Sequence, residues 1–255
     1  IVTVEGTLTV TSVTNQNGAQ LIVNDDAGVL TTGAISGAVI NTSDFDLNGG
    51  SVGSLANNAG TSDLNGGTVA GATTVADGTV TNAGATLIGA ASTSGTGIFT
   101  QSAGAANGGI ANNGGTVNLN GGTAATLANN AGAGTSTVTN GQVTGTTTIA
   151  DGAVVVNGTA DGTAELAGTT TLTGGTLTVT DGDVAGLVNQ GTTGGATEIT
   201  VTAGNVASLT NTSGEALLNG GTIAGATTVA DGTVTNAGAT LTGAASTSGT
   251  GILTQ

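Results

Sequence analysis

The sequence predicts an all-β protein, a parallel β-solenoid of about fourteen coils of 17–22 residues, with the right-handed β-helix favoured. Three observations predict it. A block of 38 residues occurs twice, a looser unit recurs about every 18 residues between and around the two copies, and the composition opposes helix while removing most other sources of cohesion.

The duplicated block runs from Leu64 to Gln101 and again from Leu218 to Gln255, with three differences: Val69 against Ile223, Ile88 against Thr242, and Phe99 against Leu253. Two of the three exchange one apolar residue for another, so volume rather than identity is constrained there. Self-similarity at a fixed spacing marks architectures in which each unit buries its apolar face only by stacking on its neighbours.

Composition narrows the choice further. Lys, Arg, His, Pro, Cys, Met, Trp and Tyr are all absent, and 15 acidic residues stand without a side-chain counter-charge. Ion pairs and disulfides therefore cannot hold this fold. Glycine contributes 49 residues, and each one inside a helix costs about 1 kcal/mol relative to alanine. Val, Ile, Leu and Phe together number 55 of 255, close to the roughly 20% below which disorder is expected. Their regular recurrence, with a low charge density, argues instead for an ordered chain.

In chain order, Val2, Val4, Leu8 and Val10 alternate with polar residues, the period of a half-buried strand. A turn at Asn15 to Gly18 leads to the short apolar run Leu21 to Val23. From Leu30 the unit reads LTTGAISGAVIN, then LNGGSVGSLANN at Leu47, LNGGTVAGATTV at Leu64 and LNGGTAATLANN at Leu119. Weaker copies begin at Val138, Val179 and Val201, before LNGGTIAGATTV at Leu218. Each unit holds two or three strand-like runs closed by Gly, Asn-Gly, Asp-Gly or Asn-Asn, whose positive φ and local hydrogen bonds suit the corners of a coil. Stacked coils pair each strand with its copies on either side. Valine, isoleucine, leucine and alanine would point inward, while Thr and Asn would form ladders on outer faces and at corners. Proline would remove a ladder donor, and its absence fits. Residues 1–255 are expected to form one elongated solenoid domain.

The cadence TTVADGTVTNAGATL, at Thr73 and again at Thr227, resembles the Gly, Thr and Asn-rich repeats of bacterial autotransporter passenger domains and haemagglutinin-type adhesins. That resemblance implies a right-handed parallel β-helix and an extracellular or cell-surface location on a bacterium.

Several functions lose their physical basis. Without a basic residue there is no source of phosphate neutralisation, so no nucleic-acid partner is expected. No run of 18 apolar residues is present to span a membrane as a helix, and the two phenylalanines, Phe45 and Phe99, are too few for the aromatic girdles of a membrane barrel. Neither membrane insertion nor a small-molecule substrate is expected. Carboxylates are the only titratable side chains available for catalysis. Asp44 with Asp46, and Asp181 with Asp183, are spaced to share a strand face, but nothing would neutralise an acidic substrate. No enzyme activity, catalytic residue or cofactor is predicted.

Calcium is the one metal the acids suit, through carboxylate and carbonyl oxygens. Asp25 and Asp26 are the adjacent candidate ligands. Asp77, Asp151, Asp161, Asp181 and Asp231 each precede glycine and read first as turns. Thr-x-Thr pairs at Thr7/Thr9, Thr79/Thr81, Thr171/Thr173, Thr178/Thr180, Thr200/Thr202 and Thr233/Thr235 would suit an ice-binding face only if they aligned on successive coils, and their offsets are irregular. Asn41, Asn157 and Asn211 each open an Asn-x-Ser/Thr triplet, as chance provides in such a chain.

The sequence begins in a strand-like run at Ile1 and stops in one at Ile252 to Gln255. Unpaired strand edges template association. The expected role is therefore a structural or adhesive subunit of a bacterial extracellular filament that self-associates by end-to-end stacking. The alternative is an ice- or calcium-binding module of a large surface adhesin.

Overall fold

Short alternating runs of Val, Thr and Asn closed by glycine fold as strands of two to eight residues, and each pairs in parallel with the strand about one turn away in sequence. The structure, a computed structural model, describes all residues except 25–32, 131, 133, 159–163 and 192–197. It is a parallel β-solenoid of about 13 turns, and no helix occurs among the described residues. Contacts divide the chain into two units, Ile1–Ala125 and Thr126–Gln255.

A turn has three sides. Within the first duplicated block they are Thr79–Asn82, Thr86–Leu87 and Ala91–Thr93. The second and third sides fuse into one long strand at Ala34–Asn41 and Ser51–Asn57 in the first unit, and at Glu165–Leu172 and Asp183–Gln190 in the second. Corners between sides are tight. Gly78 has φ 78° and Gly232 has φ 86°, backbone states that a side chain disfavours. A Cβ at either would also overlap the backbone of the preceding turn.

Register shows the length of each turn directly. Phe45 pairs with Ser62, Ser62 with Val80 and Val80 with Phe99, steps of 17, 18 and 19 residues. Longer steps occur at Leu21 to Phe45, Val154 to Leu177 and Leu177 to Ile199, which are 24, 23 and 22 residues. The range is therefore wider than 17–22. Each long step contains one of the segments outside the described set, and the count of about 13 turns agrees with the expected fourteen coils or so.

The core is a set of inward columns. In the first unit one column runs Leu21, Phe45, Ser62, Val80, Phe99, Val117, and another runs Val23, Leu47, Leu64, Asn82, Gln101, Leu119. In the second unit Val154, Leu177, Ile199, Ala216 and Val234 form the matching column. Both phenylalanines are fully buried. Phe45 sits beside the small Ser62, and Phe99 lies between Val80 and Val117, so large residues are accommodated by smaller ones one rung away. At about 0.8 kcal/mol per buried CH₂, these columns oppose the ordering entropy of a glycine-rich chain.

The differences between the two block copies follow from these positions. Val69 and Ile223 are both fully buried, so either aliphatic fills the site, whereas Ile88 is exposed and its replacement by Thr242 disturbs no core.

Candidate functional site

Polar chemistry in this molecule gathers at three places: an inward column of asparagines, an acidic patch on one outer face, and the Asp-Gly corners.

The asparagine column lies on the third side. Asn15, Asn41 and Asn57 are paired in register. Asn15 Nδ2 donates to Asn41 Oδ1 at 2.8 Å, and Asn41 Nδ2 donates to Asn57 Oδ1 at 2.8 Å. Asn41 Nδ2 also reaches the Thr61 carbonyl at 2.8 Å, tying this third side to the first side Thr61–Leu64 beyond Asn57. Elsewhere Thr93 donates its hydroxyl to Asn112 Oδ1 at 2.9 Å, and Asn189 donates to Asn211 Oδ1 at 2.8 Å. Ladders were expected at corners and outer faces. One is there, with Asn65 donating to Asn48 and Asn48 to Asn24 at 2.9 and 3.0 Å. The interior ladder was not expected. Its signal lies in the alternation of Leu55, Ala56 and Asn57, which puts Asn57 on the same face as Leu55.

Glu198 is the second feature that sequence reasoning missed. It is buried and accepts hydrogen bonds from Asn189 Nδ2 at 3.1 Å and from the Glu215 backbone N–H at 2.6 Å. Gly214 leaves room for the carboxylate, since a Cβ there would overlap it. With no basic side chain in the protein, amide donors take the place of a cation.

Asp44 and Asp46 do share a face. Both point outward from the strand Asp44–Leu47 while Phe45 points in. Asp46 pairs with Asp63 on the next strand, and Thr61 Oγ1 donates to Asp44 Oδ1 at 2.5 Å. Partial burial, then the neighbouring Asp46 and Asp44 charges, push the Asp63 carboxyl above its ordinary value, and a hydrogen bond from Thr81 partly offsets them. Asp181 and Asp183 do not share a face. The strand Thr176–Asp181 ends and Asp183–Gln190 begins around Gly182, whose φ of 109° turns the chain between them.

The calcium candidates Asp25 and Asp26 lie outside the described residues, as does Asp161. Among the described residues no group of three or more acids is placed to hold a metal ion. Asp77 and Asp231, equivalent positions in the two block copies, use their carboxylates to cap a later turn. Asp231 Oδ1 accepts from the Thr250 backbone N–H at 2.9 Å and from its hydroxyl at 2.7 Å, and Asp77 binds Thr96 in the same way. Asn41 and Asn211 are fully buried in the ladder, which removes two of the three Asn-x-Ser/Thr triplets from any surface role.

Register also fixes the threonine pairs. Thr79/Thr81 is followed one turn later by Ile98/Thr100 and preceded by Thr61/Asp63. Thr233/Thr235 lies between Glu215/Leu217 and Ile252/Thr254. Neither of these pairs is repeated on the adjacent turn; Thr178 of Thr178/Thr180 does stand opposite Thr200 of Thr200/Thr202, but Thr200 then faces Leu217, so the alignment stops there.

Fold and polar groups together define a parallel β-solenoid repeat protein with an amide-laddered interior. No family model matches the chain, and no curated protein or solved structure matches it either.

Proposed function

We propose that this chain is a structural or adhesive subunit of a bacterial extracellular fibre, of the kind its resemblance to autotransporter passenger and haemagglutinin-type repeats implies, assembling by end-to-end stacking of solenoid turns. The duplicated block carries the reading. In its first copy, Leu87, Ala91, Thr93, Phe99 and Gln101 are roofed in parallel register by Ala106, Ile110, Asn112, Val117 and Leu119, and all five are buried. A face of this sequence thus accepts another solenoid turn, and a turn from a second molecule would bury the same columns and pair the same strand edges.

Chemistry supports the same conclusion. The protein has no basic side chain to neutralise an anionic substrate. A chain without Lys or Arg offers trypsin-like proteases no cleavage site, a useful property for a filament outside a cell.

Negative-stain electron microscopy of the purified chain over a concentration series tests the reading. Filaments that lengthen with concentration are expected. Ala91 N–H donates to the Gly109 carbonyl of the covering turn at 3.0 Å, so Ala245→Pro, which deletes the equivalent donor, should abolish filaments and leave the strand signal in circular dichroism intact. Monodisperse short particles at high concentration would contradict the proposal. A calcium-dependent rise in melting temperature, or thermal hysteresis on freezing, would favour the ice- or calcium-binding alternative instead.

A further inference from the structure

The four described Asp-Gly corners fall into two geometric classes. At Asp77 and Asp231 the carboxylate reaches away from its own peptide bond to cap Thr96 and Thr250. At Asp151 and Asp181 one carboxylate oxygen folds back onto the following residue, and at Asp151 the other, Oδ2, accepts from the Gly132 N–H at 3.1 Å. Gly152 N–H donates to Asp151 Oδ1 at 2.7 Å, and Gly182 N–H donates to Asp181 Oδ1 at 2.8 Å. In that pose the amide nitrogen of residue n+1 lies against the side-chain carboxyl of residue n. The following glycines have φ of 69° and 109° and carry no side chain to obstruct ring closure.

We propose that Asp151 and Asp181 are sites of spontaneous succinimide formation and isoaspartate conversion, selected over Asp77 and Asp231 by the way each corner directs its carboxyl group. The Gly152 nitrogen attacks Cγ of the protonated Asp151 carboxyl. A bond forms between N and Cγ, the amide proton passes to the departing hydroxyl oxygen, and one water leaves, closing a five-membered imide. One water then adds to either imide carbonyl. Breaking the N–Cγ bond restores aspartate, and breaking the N–C bond reroutes the main chain through Cβ and Cγ. Water is lost once and gained once, with no oxidant, metal or partner. Gly182 and Asp181 follow the same steps.

The capped corners are poor substrates for two reasons. Thr250 directs the Asp231 carboxylate toward its own hydroxyl and N–H, and those side-chain and backbone hydrogen bonds hold the Asp231 carboxyl below its ordinary pKa, so the ionised, less electrophilic form persists. At Asp181 the pairing also shifts register, with Val156 opposite Val179 but Asn157 opposite Asp181, so the corner is already irregular where the main chain would lengthen.

The test is to age the protein near neutral pH at one warm temperature, folded and in concentrated urea. Elastase peptides are then mapped by electron-transfer fragmentation, which distinguishes isoaspartate. In the folded protein, conversion at Asp151 and Asp181 should run several-fold faster than at Asp77 and Asp231. In urea, where all four are Asp-Gly in an unfolded chain, that difference should vanish. Thr250→Val should raise conversion at Asp231 in the folded protein. Equal or reversed rates in the folded chain, no conversion at Asp151 and Asp181, a preference that survives urea, or no response to Thr250→Val would each overturn the proposal.

Discussion

Asn41 donates its side-chain amide to the Oδ1 of Asn57 across one solenoid turn at 2.8 Å, while its own Oδ1 accepts from Asn15. A single buried residue thus stitches three successive turns and, through the Thr61 carbonyl, two sides of the coil. In a protein without ion pairs between side chains or disulfides, such amides supply lateral specificity that apolar columns do not.

Removing that hub should be costly. Asn41→Ala opens a void and takes one buried hydrogen bond each from Asn15 and Asn57, and it is expected to lower unfolding free energy by about 2–4 kcal/mol. Urea denaturation measures it. A change within experimental error would show that the ladder is decorative.

The opposite substitution should help on another column. The hydroxyls of Thr73, Thr147, Thr170 and Thr227 are buried without a hydrogen-bonding partner among the described residues. All four sit at the same inward position of the third side: Thr73 is in register with Leu55, Thr147 with Leu127 and Thr170, Thr170 with Leu187, and Thr227 with Leu209. Valine keeps the β-branched shape and deletes the unpaired hydroxyl. Each Thr→Val change is expected to stabilise the fold by about 1 kcal/mol, read as a higher urea midpoint at unchanged m-value. A lower midpoint would mean these hydroxyls are paired in solution.

Asp63 makes stability depend on acidity. Its raised value means the folded state takes up a proton before the unfolded chain does. Stability should therefore increase as pH falls from neutral through the folded value, and level off near the unfolded value of 3.8. Asp231 acts with the opposite sign. Its lowered value gives stability that is present above 3.8 and is lost as pH falls further. Asp63→Asn should raise the urea midpoint at neutral pH and shrink the gain on mild acidification. An unchanged pH profile would contradict this account of the patch.

Corner glycines should tolerate nothing larger. Gly60 has φ 71°, and a Cβ there would collide with the Ser43 carbonyl oxygen of the preceding turn, while one at Gly6 would meet no atom within 4 Å. Gly60→Ala should cost about 2–3 kcal/mol, and Gly6→Ala should be close to neutral. Similar midpoints for the two variants would refute the close approach of turns.

Much of this fold was legible because its period is so short. Alternation at Thr79, Val80, Thr81 and Asn82 places Val80 inward and both threonines outward, and the structure agrees. The interior asparagines were misplaced because Asn57 and Asn58 are the same letter, one buried and one exposed, and only the phase set by Leu55 separates them. Glu198 could not be placed from local sequence. Beside the inward Ile199, alternation would turn it outward, and its burial depends on Asn189 and Gly214, residues on other strands. Asp181 and Asp183 were paired on a spacing rule that holds only within a continuous strand, and Gly182 ends that strand.

Diffraction from an oriented, concentrated sample addresses the central claim, that turns stack in parallel, together with the proposal that they continue from one molecule into the next. A sharp meridional reflection at about 4.8 Å, along the axis of the filaments, is the predicted result. The same spacing on the equator, or none at all, would contradict it.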